Sequence, residues 1–241
     1  MPEQKTSYSP PPASPAARAS TPLTEPRRGS VIPGEDKVRA ALKDGDIKAI
    51  EEMGSRAKPA LFKIMPAPEE DLLLRRFAAD AVTSLYGNSI RVFDRILCLL
   101  LQDNVEEAAS LGDDAVLQIL GIVKNRKENT LLRNIAVEVL VSIPKSPESY
   151  SSLSVVAALS SLLANEQEIP VLRVKIADEL PKLARICDTA KMKLIKSALD
   201  KAAKSENSSV ACSAEDALAQ IDENLRTSID DDNPTLPVGK R

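Results

Sequence analysis

The chain carries few side chains suited to catalysis or to metal binding. None of its 241 residues is histidine, which excludes Ser-His and Cys-His pairs, histidine metal sites and the commonest general base. Three separated cysteines, Cys98, Cys187 and Cys212, lie within helical patterns, which favours buried reduced thiols over a disulfide framework or a metal site. Phosphate-binding glycine motifs are missing. We therefore expect no enzyme, no catalytic residue, no metal and no cofactor.

Charged residues nevertheless recur at matched positions in four similar stretches. These stretches are LLRRFAADAVTSL (73–85), LLRNIAVEVLVSI (131–143), VLRVKIADELPKL (171–183) and SVACSAEDALAQI (209–221). One column of the alignment is acidic throughout and consists of Asp80, Glu138, Asp178 and Asp216. On a helix it points about 155° away from the apolar side. It is either an ordinary solvated face or a line of carboxylates that steers a basic peptide or partner helix.

A second column holds arginine in three of the four stretches, as Arg75, Arg133 and Arg173. It lies at about 60°, on the flank of the apolar stripe. From there a guanidinium can reach the carbonyls or carboxylates of a neighbouring turn, so a structural ladder is favoured over ligand recognition.

Basic residues are concentrated between positions 182 and 204. The residues that define this basic patch are Lys182, Arg185, Lys191, Lys193 and Lys196. Such a run is usually a solvated face, although it could bind an acidic partner or RNA. The whole chain has 32 basic and 35 acidic residues, which argues against a protein built mainly to hold a phosphate backbone.

The elements that carry these columns are predicted to be helices. Apolar residues occupy four further columns at i, i+4, i+8 and i+11, which form one stripe of a helix with 3.6 residues per turn. From the first column to the last they are Leu74, Leu132, Leu172, Val210; Ala78, Ala136, Ile176, Ala214; Val82, Leu140, Leu180, Leu218; and Leu85, Ile143, Leu183, Ile221. A weaker stretch at 104–110 is interpreted as a degenerate second helix, and Pro181 is expected to kink its helix.

The domain organisation follows from composition. Residues 1–34 are rich in Pro and Ser and are predicted to be a disordered tail, residues 35–224 the folded domain, and residues 225–241 a second disordered tail. The first tail resembles kinase substrates at Ser9, Ser14, Thr21 and Ser30, although a solvated tether with chance motifs explains these matches equally. No apolar run is long enough for a membrane span and no signal peptide is recognised, so a cytoplasmic location, or alternatively a nuclear one, is expected.

The phrase x-[LV]-R-x-x-[AI]-x-[DE]-x-[LV]-x-x-[LI] in these stretches resembles the second helix of HEAT repeats, and 49–65 resembles a first-helix region. Armadillo repeats require a similar pattern of residues in their helices. The resemblance implies an all-α, right-handed α-solenoid of stacked helical hairpins that acts as a scaffold or adaptor and binds a protein along its concave face. The alternatives are a nucleic-acid-associated factor that uses the basic patch, or a regulatory subunit of an enzyme complex. The oligomeric state is not predicted.

Overall fold

The structure is a computed structural model that describes residues 34–143 and 150–231. Within these two ranges the chain forms 12 α-helices and no strand, which confirms the all-α prediction. None of these helices is both long enough and apolar enough to cross a bilayer. The four phosphorylation candidates, Ser9, Ser14, Thr21 and Ser30, lie outside the described residues.

The helices follow one another with short connections. The first six are α1 (Glu35–Lys43), α2 (Ile47–Met53), α3 (Lys58–Ile64), α4 (Leu72–Tyr86), α5 (Val92–Leu101) and α6 (Val105–Ser110). The remaining six are α7 (Asp113–Lys124), α8 (Thr130–Ser142), α9 (Tyr150–Leu163), α10 (Pro170–Ala184), α11 (Thr189–Ala202) and α12 (Ser208–Asp231). Short 3-10 turns occupy Gly54–Arg56 and Gly87–Ser89.

Several helices begin at a side chain that caps the first turn. At the start of α2, α4, α6, α8 and α11 the preceding Asp or Asn accepts a hydrogen bond from a free backbone N–H of that turn. Such a cap typically stabilises a helix by about 1 kcal/mol. These polar residues therefore determine where the helices begin, as Asp46 does for α2.

Consecutive helices pack in pairs, and the pairs contact their neighbours in two rows. In the row of odd-numbered helices α5 contacts α7, α7 contacts α9 and α9 contacts α11. In the row of even-numbered helices α6 contacts α8, α8 contacts α10 and α10 contacts α12. The four similar sequence stretches form α4, α8, α10 and α12, which are all even-numbered helices.

The apolar columns form much of the core between these rows. Fourteen of their sixteen residues are buried, with relative exposures of 6% or less, while Leu85 and Leu218 are half-buried. The helical period that revealed the columns therefore identified the buried side of each helix.

Two helices differ from their predicted extent. Residues 225–231, assigned to the C-terminal tail from composition, are the last turns of α12. The chain there contains neither Gly nor Pro before Pro234, so nothing in its backbone chemistry ends the helix earlier. The degenerate stretch at 104–110 does form a helix, α6, of only six residues.

The three thiols differ in exposure. Cys98 is buried, Cys187 is half-buried and Cys212 is exposed, so the expectation of burial is wrong for Cys212, which lies on the outer side of α12. The Cys98 thiol lies 3.3 Å from the sulfur of Met65. Burial raises its pKa to about 11, which keeps it protonated at neutral pH.

Replacing Leu140 by Ala tests the assignment of buried and exposed sides on α8. Leu140 is fully buried, so we expect a loss of about 2 to 5 kcal/mol in the free energy of unfolding, measured by urea denaturation. Leu131 on the same helix is 51% exposed, and Leu131→Ala is the matched control with an expected change within roughly 0.5 kcal/mol. Equal losses in the two variants would contradict the assignment.

Candidate functional site

The even-numbered helices carry the charged columns in two different places. The arginine column is buried and forms a ladder, whereas the acidic column lies on an exposed face. Arg75, Arg133 and Arg173 are 0, 0 and 3% exposed. Each donates its Nε–H to the carbonyl oxygen ten residues earlier, in Met65, Val123 and Leu163, at 2.8 to 2.9 Å. Each guanidinium thereby satisfies a carbonyl at the end of the helix that precedes its own.

The rest of each guanidinium contacts a turn of the chain further on. Arg75 makes a bidentate pair with Glu128, at 2.5 and 3.0 Å, in the turn between α7 and α8. Arg133 donates Nη1 to Glu168 Oε1 at 3.0 Å in the turn between α9 and α10, and its Nη2 lies 2.9 Å from Oε2. Planar fork-to-carboxylate pairing of this kind is specific in geometry as well as in charge.

The contacts at the two ends of this ladder differ from those in its middle. At the start, Arg39 on α1 donates to Glu70 at 2.7 Å, in the turn before α4, but both side chains are partly exposed. At the end, Arg173 donates to the hydroxyl of Ser205 at 3.2 Å, in the turn before α12. The last guanidinium therefore has a neutral acceptor where the preceding ones have a carboxylate.

The carboxylates of the ladder are functional partners that sequence reasoning missed. A signal was present, because a glutamate stands five residues before the arginine in each of three stretches. The pairs are Glu70 and Arg75, Glu128 and Arg133, and Glu168 and Arg173. Each glutamate bonds to the arginine of an earlier helix and not to the one five residues ahead, so only a comparison between stretches could have suggested the contact.

Glu168 shows the electrostatics of a ladder carboxylate. Its side chain is 2% exposed, and burial alone would raise its pKa. The hydrogen bonds from Arg133 and from the Ile169 N–H, with the charges of Arg133 and Arg126, outweigh burial and hold the pKa below the ordinary value of 4.5. A carboxyl with a lowered folded-state pKa stabilises the fold above its unfolded-state pKa, and this stabilisation is lost as pH falls through the folded-state value.

We expect Glu168→Gln to lower the free energy of unfolding at neutral pH by about 3 to 5 kcal/mol, because it leaves a buried guanidinium without its counter-charge. The stability of the variant should also depend less on pH between neutral and about pH 3 than that of the wild type. Urea denaturation across this range measures both effects. Glu166→Gln, at an exposed position in the same turn, should follow the wild type; a parallel loss there would show that the effect is not specific to the ladder.

The exposed sides of α4, α8, α10 and α12 form the second charged surface, named here the second-helix face. This face includes an apolar row that consists of Leu73, Leu131 and Val171. Each of them stands two residues before a ladder arginine, and they are 57, 51 and 58% exposed. Half-buried apolar residues stand behind this row, namely Phe77, Ile135 and Val174. Of the three helices that carry the apolar row, α8 and α10 are direct neighbours, so Leu131 and Val171 lie on one surface, and α12 extends this surface with Ser209 at the matching position.

The acidic column runs along the same face, next to the apolar row. Asp80, Asp178 and Asp216 are exposed and Glu138 is half-buried. Glu138 is bonded to Lys175 of α10 at 2.7 Å, and Asp80 accepts a hydrogen bond from Gln102 at 2.8 Å. All four residues therefore lie on the same side of their helices, and Lys175 neutralises the charge of Glu138.

The remaining negative charge is concentrated between α10 and α12. Burial raises the pKa of Asp178, and the charges of Glu179 and Asp216 raise it further against a hydrogen bond with Ser213 and the charge of Lys175. A Lys or Arg side chain placed beside Asp178 and Asp216 would relieve the repulsion that Asp178 experiences from its acidic neighbours.

The basic patch does not form a free cationic surface. Lys191 is 5% exposed and bonded to Asp188 at 2.8 Å, which corrects the prediction that it lies on an accessible patch. Lys182 pairs with Glu179 and Lys196 with Asp222, each at 2.7 Å. Arg185 contacts the neutral amide of Asn224, so Arg185 and Lys193 are both exposed cations of the predicted set. Acidic neighbours thus reduce the field that a phosphate backbone would require.

The rest of the described chain adds no metal centre, because its 34–143 and 150–231 ranges contain no cluster of three metal-ligating side chains. Comparison of the sequence and the structure with protein-family models, curated proteins and solved structures finds no match.

Proposed function

We propose that the chain is a non-enzymatic protein-binding module, an α-solenoid of the HEAT or armadillo kind, whose second-helix face binds a partner protein. In such a solenoid the even-numbered helices would line the concave side. The two rows of helices and the resemblance of α4, α8 and α10 to HEAT second helices support this arrangement.

The observation that carries the proposal is the exposed apolar row next to the acidic column. Isolated apolar residues on a surface need no explanation, but Leu73, Leu131 and Val171 recur at one position of successive similar helices. Their exposure has no structural benefit for the isolated chain. Their burial by a partner would contribute about 25 cal/mol for each Å² of apolar surface removed from water.

The two rows together define the chemistry of the partner. A suitable segment carries apolar side chains for the Leu131 and Val171 row and a Lys or Arg that reaches Asp178 and Asp216. The apolar contacts would supply most of the affinity. Each exposed charge pair adds roughly 0.2 to 1 kcal/mol, so the carboxylates act mainly on specificity and on the association rate.

The function is tested by affinity capture from cell extract with the full chain as bait, followed by mass spectrometry. Leu131→Asp/Val171→Asp should lose the partner that the wild type captures, because two carboxylates replace the centre of the apolar row. Ile186→Asp/Leu194→Asp is the matched control, since these apolar residues are also partly exposed but lie elsewhere. A partner retained by both variants, or one released by nuclease, would contradict binding of a protein at this face.

The captured partner then allows a test of the acidic column. The quadruple variant Asp80→Asn, Glu138→Gln, Asp178→Asn, Asp216→Asn should associate more slowly at low salt, because electrostatic steering is lost. At high salt its association rate should approach that of the wild type, since screening weakens the steering in both proteins. Stopped-flow or surface-plasmon measurements at the two salt concentrations decide the point. Equal rates at low salt, with the fold intact, would reduce the column to a solvated face.

A further inference from the structure

The outward side of α7 has a composition that neither the ladder nor the second-helix face explains. Its exposed residues include Asp114, Leu117, Gly121 and Lys124. Leu117 is 71% exposed, the highest value among the large apolar residues of the described ranges. This side of α7 therefore carries an exposed leucine between an acidic and a basic end, together with a glycine inside the helix, where glycine lowers helix stability.

The spacing of these four residues defines a narrow seam. Steps of three, four and three residues are those of alternating a and d positions in a coiled coil, which meet a partner helix along one line. When two copies of such a helix pack antiparallel, the residue at one a position faces the d position of the other helix. In α7 that arrangement places Asp114 opposite Lys124 and Leu117 opposite Gly121. Both pairs are centred on Ile119, so a single two-fold axis satisfies them together.

We propose that α7 pairs with α7 of a second copy of this chain about this two-fold axis. The pairing is isologous, so each contact occurs twice: two Asp114–Lys124 ion pairs flank two Leu117–Gly121 contacts. The occupant follows from charge complementarity, because the acidic residue at one end of the seam meets the basic residue at the other end only when the partner is a second, antiparallel copy.

Gly121 supplies the space that the proposed contact needs. Its backbone is helical, and a Cβ built at this position would have no other atom within 4 Å, so packing inside the chain does not require a glycine. A glycine in the middle of a helix lowers helix stability relative to Ala. Its benefit is the close approach of another element, here the Leu117 side chain of the second copy.

The neighbouring helix α9 extends the receiving surface. A groove of about 620 Å³ runs between α7 and α9, with Leu120, Ala157 and Leu162 among the residues that line it. The α9 side of this groove presents Ser154, Ala157 and Ser161, which are small and uncharged. Leu117 and Lys124 of the seam themselves line the α7 side of this groove, so the seam borders it. The odd-numbered helices that form this surface leave the second-helix face available for its own partner.

The contact is short, since α7 spans about 18 Å, so we expect a weak dimer that forms only at high protein concentration. Sedimentation velocity of the full chain, from about 1 to 500 μM, should show a monomer-dimer equilibrium. Asp114→Lys or Lys124→Asp alone should weaken it about tenfold, because symmetry turns two attractive pairs into two repulsive ones. The double variant Asp114→Lys/Lys124→Asp restores both pairs and should return the dissociation constant to near that of the wild type.

A substitution at Gly121 separates dimerisation from folding. Gly121→Leu should abolish the dimer while it keeps or raises the midpoint of thermal unfolding, because the helix gains propensity and a Cβ at this exposed position meets no other atom within 4 Å. Lys193→Asp, an exposed charge reversal on α11, is the control and should leave the equilibrium unchanged. A monomer at every concentration, a dimer insensitive to Gly121→Leu, or a failure of the double charge variant to recover would each overturn the proposal.

Discussion

The need to satisfy buried guanidinium groups is the constraint on which the arrangement of the helices depends. Arg75, Arg133 and Arg173 have almost no contact with water, and an unpaired charge in such a place would cost several kcal/mol. The carbonyl that each one binds comes from its own hairpin, while the remaining acceptor comes from a later one. A hairpin that shifted along its neighbour would lose these acceptors. The ladder therefore fixes the register of successive hairpins, which apolar contacts alone would hold less specifically.

A fixed register has a direct effect on the surface. Because the arginines stand at one position of α4, α8 and α10, the residues before and after them are carried to equivalent places on the outside. Leu131 and Val171 then form a row, and the charge of Asp216 on the next helix helps to raise the pKa of Asp178. The same helices that bury their charges on one flank thus present a repeating pattern on the other. The pattern would have little use for recognition if the hairpins were free to slide.

The sequence predicted local features better than contacts between distant residues. The helical period identified the four similar helices and nearly all of their buried columns, since it is encoded within a few residues, as at Leu140. The partners of the ladder were missed because Glu128 and Glu168 bind arginines 53 and 35 residues away, which no local pattern specifies. Lys191 was placed on the surface because its charge suggests solvent, whereas Asp188 satisfies that charge in the folded chain. The short α6 lies outside the four similar stretches, and the turn beside it provides no acceptor for Arg75.

The ladder has no contact at α6, and this affects the order in which the chain folds. The contact between Arg75 and Glu128 closes a loop that contains α5, α6 and α7, whereas the contact between Arg133 and Glu168 closes a shorter one around α9. Loop-closure entropy separates the two by only about 0.4 kcal/mol, so the equilibrium hardly distinguishes them. Folding kinetics does distinguish them, because contacts between residues closer in sequence favour faster folding. The C-terminal hairpins, joined by the shorter loop, can assemble first and serve as the template onto which α1 to α4 are added.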